Sequence, residues 1–424
     1  MEEWKTYKLS EIGNIVGGAT PSTKIAENYD GDIPWITPKD LSDFSGRFIK
    51  YGERNITQQG FDSCSCQMLP KNSVLFSSRA PIGYVAIAAA PLCTNQGFKS
   101  VVPNEEIVDP RFLYYLLKFN KDRIAGMGSG TTFMEVSGGV MKNVEVSLPV
   151  IAIQKHIAEI LSSIDDKIEL NNRINHNLEA QAQALYKSWF VDFEPFRGGK
   201  FVDSELGLIP EGWRVGCYND IISSTVSGDW GKDREVGNYT HKVSCIRGCD
   251  FADVSSGISG KTPERFVLEK NFQNKRLLDK DIVVEISGGT PTVSTGRICL
   301  VSDNLLDKYS GNIVCTNFCR VIRPCSGYSS YVFYSWLDKY KSRVMFGYEN
   351  GTSGIKNFQI SDFMEKEPVI IPPQTVIAKF QTIVEVYQAV IQRNGNERME
   401  CETVRDTLLP KLMSGELKIS DLTC

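Results

Sequence analysis

The sequence predicts a mixed α/β (α+β) protein: two similar domains joined by two long helices that form an antiparallel coiled coil, with a pseudo-two-fold internal repeat. The first observation is a helical stretch that occurs twice, at residues 149–190 and 372–413, with a constant offset of 223 (372 minus 149). The second is that residues 1–148 and 213–371 share one order of strand, loop and helix patterns. The third is that each long helix carries a single apolar stripe, which needs a partner to bury it.

The apolar stripe of each long helix recurs at steps of three and four residues, as in a coiled coil. Proline opens both stretches, where its missing N–H costs nothing, and glycine follows both, at Gly198 and Gly415; these are ordinary helix start and stop signals. About forty residues at about 1.5 Å each make a rod of roughly 60 Å, too long to bury its stripe in one compact domain. We therefore predict that the two helices pair through Ile157, Ile160, Ile164, Asn171 and Leu185 in the first and Phe380, Ile383, Tyr387, Asn394 and Leu408 in the second.

Two asparagines, Asn171 and Asn394, interrupt the stripes at matching positions near the middle of each helix. In an antiparallel pair related by a two-fold axis, equivalent residues meet only where the axis crosses, which is mid-helix. The position predicts that these side chains face each other and fix the register, at some cost in stability. The alternative is that each asparagine points to solvent at the edge of its stripe, and the sequence does not choose between the two.

The repeats predict the order of domains along the chain. The stretch between the first long helix and the second domain is rich in proline, glycine and acidic residues, which is typical of a linker, and its aromatic residues are expected to hold it down. The predicted boundaries are domain 1 at 1–148, the first long helix at 149–190, a linker at 191–212, domain 2 at 213–371, the second long helix at 372–413 and a tail at 414–424.

Local patterns in domain 1 predict short elements. Strands at Val74–Phe76 and Gly83–Ala88 flank a loop, Asp109 caps a helix over 110–119, and Ser10 caps a short helix that extends through Val16. Similar stretches recur in domain 2. By residue identity, Lys280–Val284 matches Lys71–Leu75, Cys315–Asn317 matches Cys93–Asn95, and Gly351–Ser353 matches Gly130–Thr132.

Composition restricts the function classes. The formal net charge is −4, and neither domain has the basic excess of a stand-alone DNA-binding domain. Any DNA binding therefore requires clustered basic residues or partners that supply positive charge.

No apolar run approaches the roughly eighteen residues of a membrane helix and the N-terminus lacks a secretory segment, so we expect a cytoplasmic protein with no membrane partner. The cysteines are expected to be thiols, and no zinc site is predicted, because the chain has three histidines and no CxxC pair.

Motifs that carry chemistry are not found in the sequence. A Walker A sequence, HExxH, GxSxG and the N/D-P-P-F/Y/W tetrapeptide of amino-methyltransferases are all missing. The glycine-rich stretch at 126–130 imitates a phosphate loop, but it follows a predicted helix and lacks the lysine, so a plain loop is expected. We predict no catalytic residue and no metal site in this chain.

Loops in both domains are rich in side chains that read base edges or hold phosphates. Arginine makes bidentate contacts to guanine and asparagine or glutamine to adenine, whereas serine and threonine mostly position phosphates. Each candidate also has a purely structural interpretation: Thr94 and Asn95 close a turn, and Arg79 pairs with a carboxylate. The candidates are Ser77, Ser78, Arg79, Thr94, Asn95, Gln96 and Lys99 in domain 1, and Arg297, Thr316, Asn317, Arg320 and Arg323 in domain 2.

Several long motifs in one order carry a family resemblance that covers essentially the whole chain. They are Val74–Tyr84 (VLFSSRAPIGY), Cys93–Lys99 (CTNQGFK), Ala184–Phe193 (ALYKSWFVDF), Glu205–Trp213 (ELGLIPEGW) and Leu408–Leu417 (LLPKLMSGEL). Together they resemble the specificity subunit of type I restriction-modification enzymes.

The resemblance implies two target-recognition domains, each reading one half of a split double-stranded DNA sequence, held apart by two paired helices. It also implies that the helices dock two methyltransferase subunits and that restriction subunits join this core. S-adenosylmethionine, ATP and Mg would belong to those partners, with no cofactor in this chain. The chain departs from the family where a Glu-Gln pair near the start of each helix is replaced by Ile153-Gln154 and Val376-Ile377. The second domain also has Glu285–Pro291 (EISGGTP) where Ser-Ser-Arg-Ala-Pro stands in the first.

Two other classes of protein remain open from the residues alone. The first is a non-catalytic scaffold whose two domains bind proteins; Arg79→Ala would then leave the DNA affinity of the assembled complex unchanged. The second is a self-contained nuclease or methyltransferase with unfamiliar motifs, which would turn over without partners.

Overall fold

The computed structural model describes residues 4–42, 44–130, 134–290, 292–351 and 356–418. By their contacts they form two compact units, unit 1 (Met1–Glu169 with Glu400–Cys424) and unit 2 (Leu170–Met399). Each long helix contributes its two ends to different units. The predicted match of Gly351–Ser353 with Gly130–Thr132 and the end of the predicted tail lie outside the described residues.

The two long helices are the largest elements. Each has 40 residues, and their first residues keep the offset of 223 (374 minus 151). They begin two residues later than predicted because the first helical hydrogen bonds are accepted by Val150 and Pro373, which leaves Pro149 and Pro372 before the helix. In chain order the helices are α1 Leu9–Ile12, α2 Pro38–Ser42, α3 Gln58–Asp62, α4 Pro110–Phe119, α5 Lys121–Ala125, α6 Gly138–Lys142, α7 Ile151–Phe190, α8 Phe251–Ser255, α9 Glu269–Lys275, α10 Asp303–Lys308, α11 Ser329–Lys341, α12 Ile360–Lys366 and α13 Gln374–Met413.

Unit 1 is built on a five-stranded sheet. Its strands are β1 Lys5–Lys8, β2 Gly13–Gly17, β3 Tyr29–Ile33, β4 Trp35–Ile36, β5 Phe48–Ile49, β6 Val74–Ser78, β7 Ile82–Ala88, β8 Cys93–Thr94, β9 Lys99–Pro103 and β10 Glu145–Leu148. The sheet has the order β2-β9-β6-β7-β5, β4 pairs with β8, and β1 pairs with β10 just before α7.

Two local predictions in unit 1 have different outcomes. The helix capped by Asp109 is confirmed, because its carboxylate accepts from the main-chain N–H groups of Arg111 and Phe112 at 2.9 and 3.1 Å. The prediction of a short helix that extends through Val16 is wrong. It ends at Ile12, since residues 13–17 form β2 and pair with β9, and this sheet pairing overrides the local helix signal.

Unit 2 repeats this plan with more strands. They are β11 Phe201–Ser204, β12 Gly207–Pro210, β13 Arg214–Cys217, β14 Ile222–Ser227, β15 Tyr239–Ile246, β16 Glu264–Leu268, β17 Ile282–Glu285, β18 Ser287–Gly288, β19 Ile298–Leu300, β20 Ile313–Cys315, β21 Cys319–Pro324, β22 Glu349–Asn350, β23 Lys356–Phe358 and β24 Pro368–Ile371. The sheets have the orders β14-β21-β17-β19, β16-β15-β20 and β18-β23-β22. The pair β13 and β24, just before α13, matches β1 and β10 before α7. The 3-10 turns of the chain are Ala26–Asn28, Glu194–Phe196, Tyr218–Asp220, Gly248–Asp250 and Val344–Tyr348.

The segment predicted as a linker is more ordered in structure than its composition suggested. Besides a 3-10 turn at Glu194–Phe196, it contains the hairpin of β11 and β12. Its aromatic residues do hold it down: the ring of Phe196 lies 4.9 Å from that of Trp213 and the ring of Phe193 lies 5.6 Å from it.

Within each unit the ends of α7 and α13 pack into the core and against each other. In unit 1, Ile157 and Leu161 of α7 share a buried cluster with Leu409 and Leu412 of α13. In unit 2, the ring of Phe190 meets that of Phe380 edge-on at 5.1 Å. Residues with higher numbers on α7 contact residues with lower numbers on α13. The paired ends of the two helices therefore run antiparallel within each unit.

Residues predicted to pair the helices fall into two sets. Ile157, Asn171, Phe380 and Asn394 are buried. The remainder lie half-buried at the edge of the stripe, namely Ile160, Ile164, Leu185, Ile383, Tyr387 and Leu408. The centre of the buried stripe is shifted by one position, to Leu161, Asp165, Ala182 and Tyr186 on α7 and Ile377, Val384 and Leu409 on α13.

The two mid-helix asparagines meet within unit 2. The Asn171 side-chain amide donates to the main-chain oxygen of Asn394 at 3.4 Å and to Glu397 Oε2 at 2.9 Å. The Asn394 amide in turn donates to Asn175 Oδ1 at 2.9 Å. These side chains are therefore turned into the helix pair rather than toward solvent, and their role in fixing the register remains a prediction.

Two general features complete the fold. No helix in the described ranges combines the length and the apolar character of a membrane span. The cysteines that the structure describes are free thiols, several of them buried in the sheets of unit 2.

Candidate nucleic-acid interface

In unit 1 the candidate residues gather where the hairpin of β6 and β7 meets the turn after β8. Ser77 and Ser78 end β6 and are fully buried. The Ser77 hydroxyl donates to Pro81 O and accepts from Tyr84 N, both at 2.8 Å, while the Ser78 hydroxyl donates to Gly97 O at 3.1 Å. Their hydroxyls are occupied within the chain, so these two serines shape the hairpin and the adjoining turn instead of offering a surface.

Arg79 and Lys99 converge on one carboxylate. Arg79 Nη1 lies 3.5 Å from Glu135 Oε2, and Lys99 Nζ lies 3.2 Å from Glu135 Oε1. Arg79 and Glu135 are each about one third exposed, at 35% and 36%. Arg79 therefore does pair with a carboxylate, as its structural interpretation expected. The carboxylate also holds both cations at one place on the surface.

The turn after β8 presents amide side chains. Thr94 is buried, and the Asn95 carboxamide accepts from Gly97 N at 2.8 Å, so both residues close the turn. Gln96 at the tip is exposed, and its side-chain oxygen accepts a hydrogen bond from the Thr20 hydroxyl. Among the candidates on this turn, Gln96 is the side chain that faces solvent.

Unit 2 has the same main-chain frame at the turn after β20. Gly18 and Gly228 show the same close approach, since a Cβ there would lie 2.0 Å from the oxygen of Asn95 and of Thr316, respectively. Three main-chain hydrogen bonds of unit 1 recur in unit 2. The bond from Ala19 N to Thr94 O corresponds to that from Asp229 N to Cys315 O, and the bond from Asn95 N to Ile36 O corresponds to that from Thr316 N to Ile246 O. The bond from Ser78 N to Gly97 O corresponds to that from Ile286 N to Phe318 O.

This frame corrects the predicted matches between the two domains by one residue. Cys315–Asn317 corresponds to residues 94–96, not to Cys93–Asn95, because the hydrogen bonds pair Thr316 with Asn95. Lys280 corresponds to Asn72, not to Lys71, since both have positive φ, 67° and 72°. Residue identity suggested the earlier matches, whereas the backbone conformation decides the correspondence.

The candidate residues of unit 2 are mostly engaged with carboxylates or buried. Arg297 binds Glu285 through two bonds, Nε to Oε2 at 2.8 Å and Nη2 to Oε1 at 2.6 Å, and these bonds raise the pKa of Arg297. Arg323 lies 3.2 Å from Asp281, a carboxyl whose pKa is raised by burial to about 6. Thr316 is buried, Arg320 is half-buried and Asn317 is exposed.

A concave surface of unit 2, which we call the tip pocket, was not expected from the sequence. It has a volume of about 380 Å³ and is lined by Trp230, Arg247, Gly248, Glu285, Ser287, Thr316, Asn317 and Phe318. Phe318 is 60% exposed, the largest value among the described phenylalanines. Arg247 binds Asp250 through Nε at 3.0 Å and Nη2 at 3.0 Å, and this hydrogen bonding raises the pKa of Arg247.

No group of three or more His, Cys, Asp or Glu side chains among the described residues is arranged to hold a metal ion.

Comparison with known proteins identifies the family. The family described as "Type I restriction modification DNA specificity domain" matches residues 1–180. The chain is 36% identical over 428 residues to the type I restriction enzyme MjaIX specificity subunit of Methanocaldococcus jannaschii, across 99% of this chain and 95% of that protein. The chain belongs to the specificity subunits of type I restriction enzymes. It is also 24% identical to the HindI specificity subunit of Haemophilus influenzae, across 98% of this chain and 100% of that protein.

The fold of this specificity subunit has a counterpart among solved structures. The crystal structure of the type I restriction-modification S subunit from M. genitalium superposes with a TM-score of 0.56 at 17% identity, covering 97% of this chain and 96% of that one. The likeness supports a mixed α/β fold with long helices.

Sequence reasoning missed part of the candidate surface of the specificity subunit. It named Asn317 but not its neighbour Phe318, nor Trp230, Arg247 or Thr20. An available signal was the aromatic residue directly after the Cys-Thr-Asn motif. The contribution of Trp230 had no local signal, because this residue reaches the tip pocket only through the pairing of distant strands.

Proposed function

We propose that each unit of this specificity subunit reads one half of a bipartite DNA sequence. The observation that carries the proposal is the shared frame of the two units, which presents different side chains at the same positions: Gln96 and Gly97 in unit 1, Asn317 and Phe318 in unit 2. Base identity is read by side chains at base edges. Two units that share one backbone frame but carry different residues on its turn can therefore read two unlike half-sites.

The long helices are assigned the role of spacer in this proposal. α7 and α13 form an antiparallel coiled coil that sets the separation of the half-sites and docks two methyltransferase subunits, with restriction subunits joining them. The antiparallel contacts within each unit and the buried asparagines support this assignment. DNA presents the same face about every 34 Å, so a fixed spacer selects a fixed gap between the half-sites.

The chemistry is assigned to the partners. The specificity subunit chooses the site, and methylation of adenine or cleavage takes place on the other subunits, which bind S-adenosylmethionine, ATP and Mg. This division is consistent with the family to which the chain belongs. The cytoplasm is assigned as the location of the assembly and its DNA as a further part of this proposal.

The test is to co-express the chain with its neighbouring methyltransferase subunit and to map methylated adenines across the host genome. We expect one bipartite motif whose two halves are separated by a constant gap. A strain carrying the methyltransferase alone is the control and should show no such motif. Methylation at a continuous motif, or at the same motif without this chain, would contradict the proposal.

A second measurement separates DNA reading from a protein-binding scaffold. In the assembled complex Arg79→Ala is expected to weaken binding to the mapped site, because it removes a partly exposed cation beside the turn that carries Gln96. A matched control is Arg54→Ala, an exposed arginine of the same unit that pairs with Asp30 instead. Equal DNA affinities for the two variants and the wild type would favour the scaffold.

A further inference from the structure

The tip pocket of unit 2 combines an apolar rim with one exposed amide. Phe318 and Asn317 are adjacent on a tight turn that is closed by a hydrogen bond from Cys319 N to Thr316 O at 2.9 Å. Trp230 lies in the loop after β14, where the guanidinium of Arg265 stacks 4.1 Å from its ring centroid and donates through Nε to Trp230 O at 2.9 Å. Trp230 is therefore fixed in place, and Phe318 stands exposed beside an unburied carboxamide.

The charged residues of the tip pocket are already paired. Glu285 is 6% exposed and receives both bonds of the Arg297 guanidinium. Arg247 is held by the nearly buried Asp250, and its Nη2 also donates to Lys261 O at 2.7 Å. Within each pair the arginine charge is balanced by the carboxylate charge, so the pocket has little net attraction for a phosphate. Its arginines are also committed to carboxylates, which disfavours the bidentate contact that reads guanine.

We infer that the tip pocket reads the major-groove edge of an A·T base pair, with Phe318 and Trp230 against the thymine methyl group and Asn317 on the adenine. The major-groove edge of an A·T pair presents adenine N7, adenine N6, thymine O4 and the thymine methyl group in that order, and asparagine is a side chain that bonds adenine N6 and N7 together. An aromatic side chain next to an exposed asparagine matches this edge. The inference rests on the proposed function and specifies what unit 2 recognises.

Unit 1 lacks this arrangement at the corresponding positions. Gly97 stands where unit 2 has Phe318, and Thr20 stands where it has Trp230, as the matching hydrogen bonds place them. The amide of unit 1 is Gln96, which is tied to Thr20. The half-site read by unit 1 should therefore show no methyl contact that depends on Phe318, which makes it an internal control.

The experiment uses the assembled complex with its methyltransferase and duplexes of the mapped site in which each thymine in turn is replaced by deoxyuridine, which lacks the methyl group. At one position in one half-site we expect deoxyuridine to lower affinity about fourfold, the value of one buried methyl group. Phe318→Ala should weaken binding to the thymine duplex and remove the difference at that position alone. Phe318→Leu should retain part of it.

The matched control is Leu208→Ala, a residue of the β11–β12 hairpin that is also 60% exposed. It should keep the full discrimination between thymine and deoxyuridine. The inference is overturned if no position shows discrimination that depends on Phe318, or if Phe318→Ala weakens binding to every duplex equally, as a wedge between bases would. If the wild-type complex does not distinguish the mapped duplex from a scrambled one, the proposed function itself fails.

Discussion

At the scale of single residues, one buried ion pair holds the long helices to unit 1. Asp165 of α7 accepts from Tyr115 Oη at 2.6 Å and from Arg405 Nη1 of α13 at 2.8 Å. The side chains of Arg405 and Asp165 are only 15% and 6% exposed. Burial raises the pKa of the Tyr115 hydroxyl and the Asp165 charge raises it further, so the phenol stays a donor. Three elements thus meet at one carboxylate, which lies one residue after Ile164 of the predicted apolar stripe.

Removing the Arg405 cation should lower the free energy of unfolding by more than the ion pair with Asp165 contributes to it. Arg405→Met leaves the Asp165 carboxylate buried without its partner, and we expect unit 1 to lose about 3 kcal/mol of unfolding free energy. Urea denaturation measures the change. The double variant Asp165→Asn and Arg405→Met has no charge to leave unpaired and keeps an acceptor for Tyr115, so it should regain most of the loss. Equal stability of the single and double variants would contradict this account.

At the scale of elements, α13 and the loop after α8 approach each other at a pair of glycines in unit 2. A Cβ at Gly395 would lie 2.3 Å from the main-chain oxygen of Gly257. Gly257 has φ +82°, so its backbone is in a conformation that other residues rarely adopt. The Asn175 amide and the Lys308 amine also bind this loop, at Ser256 O and Gly257 O. The loop is therefore docked against the helix by backbone contact.

This contact predicts an unusual response to alanine. In most helices Gly→Ala gains about 1 kcal/mol, but at Gly395 the new methyl group meets backbone, and overpacking typically costs about 1–3 kcal/mol. We expect Gly395→Ala to lower the midpoint of urea denaturation. Gly347→Ala is the matched control in the same unit, because a Cβ there meets nothing within 4 Å. It should be neutral or slightly stabilising, and a Gly395→Ala variant as stable as this control would refute the close approach.

At the scale of the whole molecule, charge limits how the specificity subunit holds DNA. The net charge is −4, and arginines such as Arg47, Arg247, Arg297 and Arg323 are paired with carboxylates. Phosphate contacts by Lys and Arg supply most of the non-specific affinity of DNA-binding proteins. Because the chain has a net charge of −4 and these arginines are paired with carboxylates, we expect it to need its partners for that attraction.

We therefore expect the isolated chain to bind the mapped duplex weakly at physiological salt, and its complex with the methyltransferase to bind at least about 100-fold more tightly. Fluorescence anisotropy titrations at several salt concentrations measure both affinities, and a scrambled duplex is the control. Tight, sequence-specific binding by the chain alone at physiological salt would contradict the assignment of phosphate contacts to the partners.

The repeat, the two 40-residue helices to within two residues, the Asp109-capped helix and the family could all be predicted from the sequence. These depend on periodicity, capping residues and long motifs, which are local properties of the chain. Three features could be seen only in the folded chain: residues 13–17 form a strand, the two Cys-Thr-Asn motifs differ in alignment by one residue, and Trp230 joins Phe318 in one pocket. Each of these is set by hydrogen bonds or packing between residues far apart in the chain, and no local pattern records which distant backbone will become the partner.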